Sequence, residues 1–314
     1  QSIVAGVGGS VYFVDPNHAS ASNSNSGLSP TAPLRTVAAA VGKCTAYTGD
    51  AIVVMHNSDW TYATQALGRA TPIRESVIVT VPGIRIIGVS PSPLGVPWVP
   101  TGNSATCITV RAMDVHIEGF CFWLDDVYTG TIGVAAIWGG SYYGESTVVR
   151  RCFFYDLAYG VTADYSWNVH VENCRFEDIS TAAIHNPSVN GEPYYMTVRN
   201  NVFLECTADI NLPACSHCLI EDNRFMDVTA AIVFLTGTKN TILRNTIQGD
   251  PTGTNNFINL TGSSSNLVAD NYFSCTVAQY DTTCSDAGSG SWVNNHCTNC
   301  APTAPPTSEE EPMD

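Results

Sequence analysis

The dominant pattern along the chain is short and repeated. VENCRFEDI at 171–179, VRNNVFLEC at 198–206 and IEDNRFMDV at 220–228 each set an aliphatic residue, then polar or small positions, then Phe five places on. Aligned on the aliphatic, the copies begin at Ile117, Val149, Val171, Val198, Ile220, Leu243 and Val268. Phe122, Phe154, Phe176, Phe203, Phe225 and Phe273 close six of them, and Gln248 closes the copy that starts at Leu243. The spacings are 32, 22, 27, 22, 23 and 25 residues. A fixed minimum with variable additions marks a solenoid whose turns carry loop insertions.

Within each copy, apolar and polar residues alternate over three to five positions, the period of a strand and too short for a helix. A further short strand follows each Phe: GVTAD from Gly160, AAIHN from Ala182, ADINL from Ala208, AAIVF from Ala230 and NFINL from Asn256. Two or three strands per 22 residues, with Asn or Gly at the corners, predict an all-β, single-stranded, right-handed parallel β-helix. At about 4.8 Å per coil, some nine or ten coils give a rod of about 45 Å. A slip of one residue would turn the apolar row outward, so the repeat sets its own register.

The corner before the Phe reads Cys152, Cys174, Asn201, Asn223, Thr246, Asn271. Stacked Asn side chains there can pass amide hydrogen bonds from coil to coil. Cys152 and Cys174 fall at one place in adjacent coils, within the separation a disulfide tolerates, and Cys275 with Cys284 flanks a short polar loop. Two CxxC pairs, Cys215/Cys218 and Cys297/Cys300, are compatible with zinc, but the eight other Cys compete as partners. Twelve Cys in all favours an oxidising setting.

The ends differ from the middle. TVAAAVGKC at 36–44 is the one helical run, expected as an N-terminal cap over the open end of the coil. Residues 1–45 thus form a strand, loop and capping helix, 46–275 the β-helix, and 276–314 a loop region closing in the Pro-rich acidic APTAPPTSEEEPMD.

The chain resembles the pectate-lyase-like family of right-handed β-helix proteins, which includes phage tailspikes and related virion proteins. The resemblance rests on YFVDPN at 12–17, Gly27, PLRTVAAAV at 33–41, GDAIVV at 49–54, GIRIIG at 83–88 and the V-x-N-x-x-F coils. It covers about residues 10 to 275 and specifies fold more than activity, because one scaffold carries lyases, hydrolases and inert structural proteins.

Only 13% of residues are charged and the formal charge is −15, which argues against a phosphate-rich partner such as nucleic acid. No apolar run is long enough for a membrane span. Gln1 opens the chain without an initiator Met or a charged-then-apolar leader, so any export leader is expected outside these residues. The sequon at Asn259 matters only on a eukaryotic secretory route.

The resemblance implies chemistry by carboxylates on one β-face, or by a base with calcium. The row expected to face outward after Phe is Thr162, His185, Asn211, Val233 and Asn259, which lacks a carboxylate. Asp164 and Asp209 border it, two coils apart, and His185 near Asp209 is the candidate base. A second acidic set, Asp156, Asp178, Glu205 and Asp227, sits two residues after Phe and is either a turn feature or a calcium row. Aromatics gather in the loop-bearing coils: Trp138, Tyr142, Tyr143, Tyr155, Tyr159, Tyr165, Trp167, Tyr194 and Tyr195. Such residues stack on sugar faces, fill subunit interfaces, or pack loops onto the rod. The resulting expectation is a non-catalytic subunit of a virion or other extracellular assembly, homo-oligomeric and contacting polysaccharide, with no resident cofactor. The alternatives are a secreted polysaccharide lyase or hydrolase and a surface adhesin.

Overall fold

The computed structural model describes residues 8–56, 72–124, 128–137, 144–187, 191–228, 232–233, 237–249, 257–260, 262–275, 284–285 and 290–298. Of residues 227, 228, 233, 275, 284, 285 and 297 it describes the backbone. Trp138, Tyr142, Tyr143, Cys300 and the acidic tail lie outside this set. So do the side chains of Asp227, Cys275, Cys284 and Cys297.

The chain winds as a parallel β-solenoid with three faces. Its described strands form sheets of 11, 10 and 9 strands, here called sheets 1, 2 and 3 in the order the chain visits them within a repeat. Every pairing is parallel. In sheet 1, Ile117, Val149, Val171, Val198, Ile220, Ile242, Val268 and Trp292 lie directly over one another. Sheet 2 stacks Trp98, Phe122, Phe154, Phe176, Phe203, Phe225, Ile247 and Phe273. Sheet 3 stacks Ile108, Val134, Val161, Ile184, Ile210, Ile232 and Ile258. These columns are buried and meet in one core. Successive Phe rings lie 4.7–5.1 Å apart, and from Phe154 to Phe225 they are parallel within 7°. Each buried ring contributes roughly 2 kcal/mol through apolar surface removed from water.

One repeat was misaligned in the sequence. Its sheet 1 position is Ile242, because Leu243 pairs with Glu221 on the outer face. The ring position is then Ile247 and not Gln248, and the corner residue is Asn245 and not Thr246. In TILRNTIQ, Ile242 and Leu243 are both apolar, so alternation alone does not choose between them; burial of Ile242 does.

With that correction the Asn column is unbroken from Asn201 through Asn223, Asn245 and Asn271 to Asn295. Each Asn receives the backbone N–H of its predecessor on Oδ1, at 2.9–3.0 Å. Each of the first four donates Nδ2–H to the next Asn and to a sheet 1 carbonyl of the preceding coil. These buried amides are therefore satisfied by their own copies. Cys174 heads the column by giving its N–H to Asn201 Oδ1 at 2.8 Å. Cys152 and Cys174 stand as free thiols and not as the expected disulfide. Their Sγ atoms donate to the carbonyls of Arg150 and of Glu172 and Val149.

The corners are left-handed and mostly lack glycine. Arg151, Asn173, Asn200, Asp222, Arg244, Asp270 and Asn294 share one such column, with φ of 50–55°. Asp156, Asp178 and Glu205 share another, each giving its backbone N–H to the following coil. The expected helix is shorter than predicted, Val37–Val41, capped by Thr36 and ended at Gly42. It places Val37, Ala40 and Val41 in the core. The stacking continues past 275, with Ser291–Val293 on sheet 1 and His296–Thr298 on sheet 2.

Candidate functional site

The outward row of sheet 3 has the expected register: Thr162 over His185, then Asn211, Val233 and Asn259. His185 lies flat against Tyr159, ring centroids 4.7 Å apart. Burial lowers the His185 pKa and the Asp164 carboxylate partly opposes this, so the imidazole is neutral near pH 7. Thr162 and Asp164 are themselves buried.

Asp209 is not on this row. It precedes inward-facing Ile210 at the place held one coil earlier by Ala183, a core residue, and it is 1% exposed. Neither carboxylate oxygen has a hydrogen bond of ordinary geometry. Burial pushes its pKa well above the usual carboxylate range, against the opposing effect of the nearby Cys206 thiol. The two acids flanking His185 in the sequence therefore do not form a pair around it.

Four of the expected aromatics, Tyr165, Trp167, Tyr194 and Tyr195, converge instead on the corner where the chain passes from sheet 3 to sheet 1. Trp167, Tyr194 and Ser216 bridge one another in successive coils. Trp167 meets Tyr194 edge-on at 5.8 Å, Tyr194 lies 6.5 Å from Tyr195, and Tyr195 lies 5.0 Å from the ring of His217. Trp167 is 44% exposed and Tyr195 53%. Tyr165, Tyr195 and His217 hold φ of 50–58°, a conformation that costs a non-glycine residue about 1–3 kcal/mol. Gly191 packs on Tyr165 so closely that a Cβ there would stand 2.4 Å from the ring. Tyr194 is kept protonated, its pKa raised by burial and by Glu192.

Tyr155 belongs to a separate apolar patch on the outer face of sheet 2, with Val99, Cys121, Trp123 and Phe153. Among the described residues no three His, Cys, Asp or Glu side chains converge to hold a metal ion. Asp156, Asp178 and Glu205 serve the left-handed corners described above. Sequence reasoning missed the outer face of sheet 1. There Glu118, Arg150, Glu172, Arg199 and Glu221 alternate in sign down one column. Laying the repeats over one another would have exposed that alternation.

The family profile described as periplasmic copper-binding protein (NosD) matches residues 132–299. No curated protein sequence matches the chain. Among solved structures, a GH136 lacto-N-biosidase from Eubacterium ramulus is similar at a TM-score of 0.51 and 10% identity, covering 92% of this chain and 68% of that one. The Dettilon tailspike protein gives 0.41 and 9%, covering 91% and 68%. Pectate lyase Pel9A gives 0.31 and 13%, covering 96% and 81%. At 10% identity the likeness to the lacto-N-biosidase is one of fold.

The described donors do not fit a copper ion. Cys107, Cys121, Cys152, Cys174, Cys206, Cys215 and Cys218 are all buried, and burial raises the thiol pKa of Cys107, Cys121, Cys174, Cys206 and Cys215. Such thiols resist the deprotonation that a metal ligand requires. His116 and His170 share a column on sheet 1 but are separated by Val148. By a profile that spans more than half of its length and by the stacked coils that carry it, this chain belongs to the NosD family of parallel β-helix proteins.

Proposed function

We propose that the chain is a non-catalytic β-solenoid subunit of an extracellular or virion assembly that contacts glycan along the corner between sheets 3 and 1. The observation that carries this reading is the ladder Trp167, Tyr194, Tyr195 and His217, whose outer members present aromatic surface to solvent. An aromatic face offers an apolar plane to the C–H face of a sugar ring, with phenolic hydroxyls at its edge for hydrogen bonds. The coils set successive rings along the rod, which suits a linear oligosaccharide. The buried positions of Asp164 and Asp209 support a binding role over hydrolysis, since neither carboxyl is open to a sugar on this surface.

Intrinsic tryptophan fluorescence with a panel of neutral oligosaccharides tests the proposal. A saturable change that Trp167→Ala and Tyr195→Asn each weaken at least 10-fold is expected. Binding unaffected by both substitutions would defeat the assignment. Release of reducing ends that is lost in His185→Ala would replace it with an enzymatic reading. Light scattering is expected to give a mass above that of one chain.

A further inference from the structure

A second surface, on a different corner, carries a charge opposite to that of the molecule. Between sheets 1 and 2 a groove of about 710 Å3 is floored by Arg85, His116, Glu118 and Arg150, with Arg151 at one side and the Ser90–Gly95 loop as its wall. Three glycines shape it. A Cβ on Gly88 would stand 2.3 Å from the Gly119 carbonyl oxygen, and one on Gly95 would stand 2.5 Å from the same atom. Bare backbones therefore close on each other here, and the loop projects outward instead of covering the floor.

The charges do not cancel. Glu118 takes both Arg150 Nε, at 2.6 Å, and Arg151. Among the described residues no carboxylate pairs with Arg85. Three guanidinium groups against one carboxylate leave the groove at +2 on a chain of net charge −15. His116 adds no charge near pH 7, because burial and the adjacent Arg85 and Arg150 lower its pKa. A second groove, of about 470 Å3, shares Pro93 and Arg151 with the first and runs on past Phe153, Asn173, Arg175 and Val202. Arg175 is already engaged by Glu177 at 2.6 Å.

We infer that this double groove binds an acidic oligosaccharide, its carboxylates meeting Arg85 and the Arg150–Arg151 pair. A single small anion would use one arginine. Arg85 and Arg150 instead lie two coils apart, about 10 Å, on a track that continues into the second groove. Repeated carboxylates along a chain match that layout, and planar guanidinium forks favour them. The lining of Ser90, backbone peptides, Pro93 and Phe153 alternates polar and apolar surface, as a hydroxyl-rich sugar requires. The inference shares with the proposed function only the premise that the ligand is a sugar; the site and its charge are independent of the aromatic corner.

The test is calorimetric titration of the full chain with four probes: hexameric oligomannuronate, the same oligomer with its carboxyls reduced, sodium sulfate, and the acidic peptide SEEEPMD. The oligomannuronate is expected to bind, at least 10-fold more tightly than the reduced form and the sulfate, and to weaken steeply between about 50 and 200 mM NaCl. Arg85→Ala should weaken it about 5-fold and Arg85→Ala with Arg151→Ala about 30-fold, as expected for lost charge-assisted hydrogen bonds. Glu118→Gln, which releases both arginines, should tighten it about 3-fold. A Trp167→Ala, Tyr195→Asn variant should leave it unchanged, so failure of the aromatic corner and failure of this groove are read separately. Equal binding of the reduced oligomer, tighter binding of the peptide, or indifference to the arginine substitutions in variants with unchanged circular dichroism would each overturn the inference.

Discussion

Asp209 is the residue at which sequence pattern and environment conflict most sharply. ADINL reads as a strand with Ile210 inward and its neighbours outward, yet the corner turns Asp209 toward the core below Ala183. The carboxyl has lost its water and gained no hydrogen bond of ordinary geometry, only the nearby Cys206 thiol, so the folded state favours its protonated form. Below about pH 3 the group is protonated folded and unfolded alike, and it imposes no pH-dependent cost. As the pH rises, the unfolded chain ionises first, and stability falls until the raised folded pKa is passed. Asp209→Ala should therefore raise stability at pH 7 by about 1–3 kcal/mol, the usual cost of an unsatisfied buried polar group. It should also flatten the decline expected above about pH 4. Urea midpoints from pH 4 to 8 measure both, and a substitution that destabilises at every pH would show that the carboxyl has a partner. Nothing in the sequence marked Asp209 as inward, because alternation holds within a strand and fails at the corner where a strand begins.

At the scale of elements, strands of three to five residues are too short to be held by propensity, and their register comes from side chains that repeat from coil to coil. Apolar columns and the Asn column do this in different ways. A Phe slipped by one coil still finds a Phe, whereas an Asn amide must find both its acceptor and its donor at fixed distances. Asn223 accepts from Asn201 N and Nδ2 and donates to Val198 O and Asn245 Oδ1, at 2.9–3.1 Å. Asn223→Ala should cost about 3–5 kcal/mol, because it strands several buried groups at once. Asn200→Ala, one place before Asn201 of the same column and exposed at its left-handed corner, should cost about 1 kcal/mol or less. Equal urea midpoints for the two variants would refute the ladder as the element that fixes register. Most of this was legible: the five-place spacing from aliphatic to Phe announces the apolar columns, the corner row with Asn201, Asn223 and Asn271 announces the Asn column, and only TILRNTIQ was misread, where two adjacent aliphatics and a missing Phe removed the markers at once. The aromatic corner was legible as composition alone. Trp167, Tyr194 and Tyr195 are scattered along the sequence, and only the winding brings them to one edge. The arginine groove was not legible for the same reason, since Arg85 and Arg151 belong to different coils.

For the whole molecule, each coil touches only its neighbours, so stability is a sum of coil and interface contributions and a weak coil can open without the rest. The buried thiols are natural reporters of this, because a maleimide reacts only with a thiolate that has reached solvent. Cys174 heads the Asn column with Cys152 one coil before it, whereas Cys206 shares its coil with the buried carboxyl of Asp209. Native-state labelling followed by peptide mass mapping should therefore modify Cys206 at least 10-fold faster than Cys152 or Cys174. The excess should grow from pH 6 to 8 beyond the common rise in thiolate, as Asp209 ionises in the opened state and holds the coil open. Asp209→Ala should bring Cys206 down to the rate of its neighbours. Cys44, half-buried with a pKa pushed up to about 12, provides a control outside the stacked coils. Identical rates at Cys152, Cys174 and Cys206, unmoved by Asp209→Ala, would mean that the rod opens only as a single unit. The thiols would then become available to any metal only on global unfolding, and soft ions would select the unfolded chain.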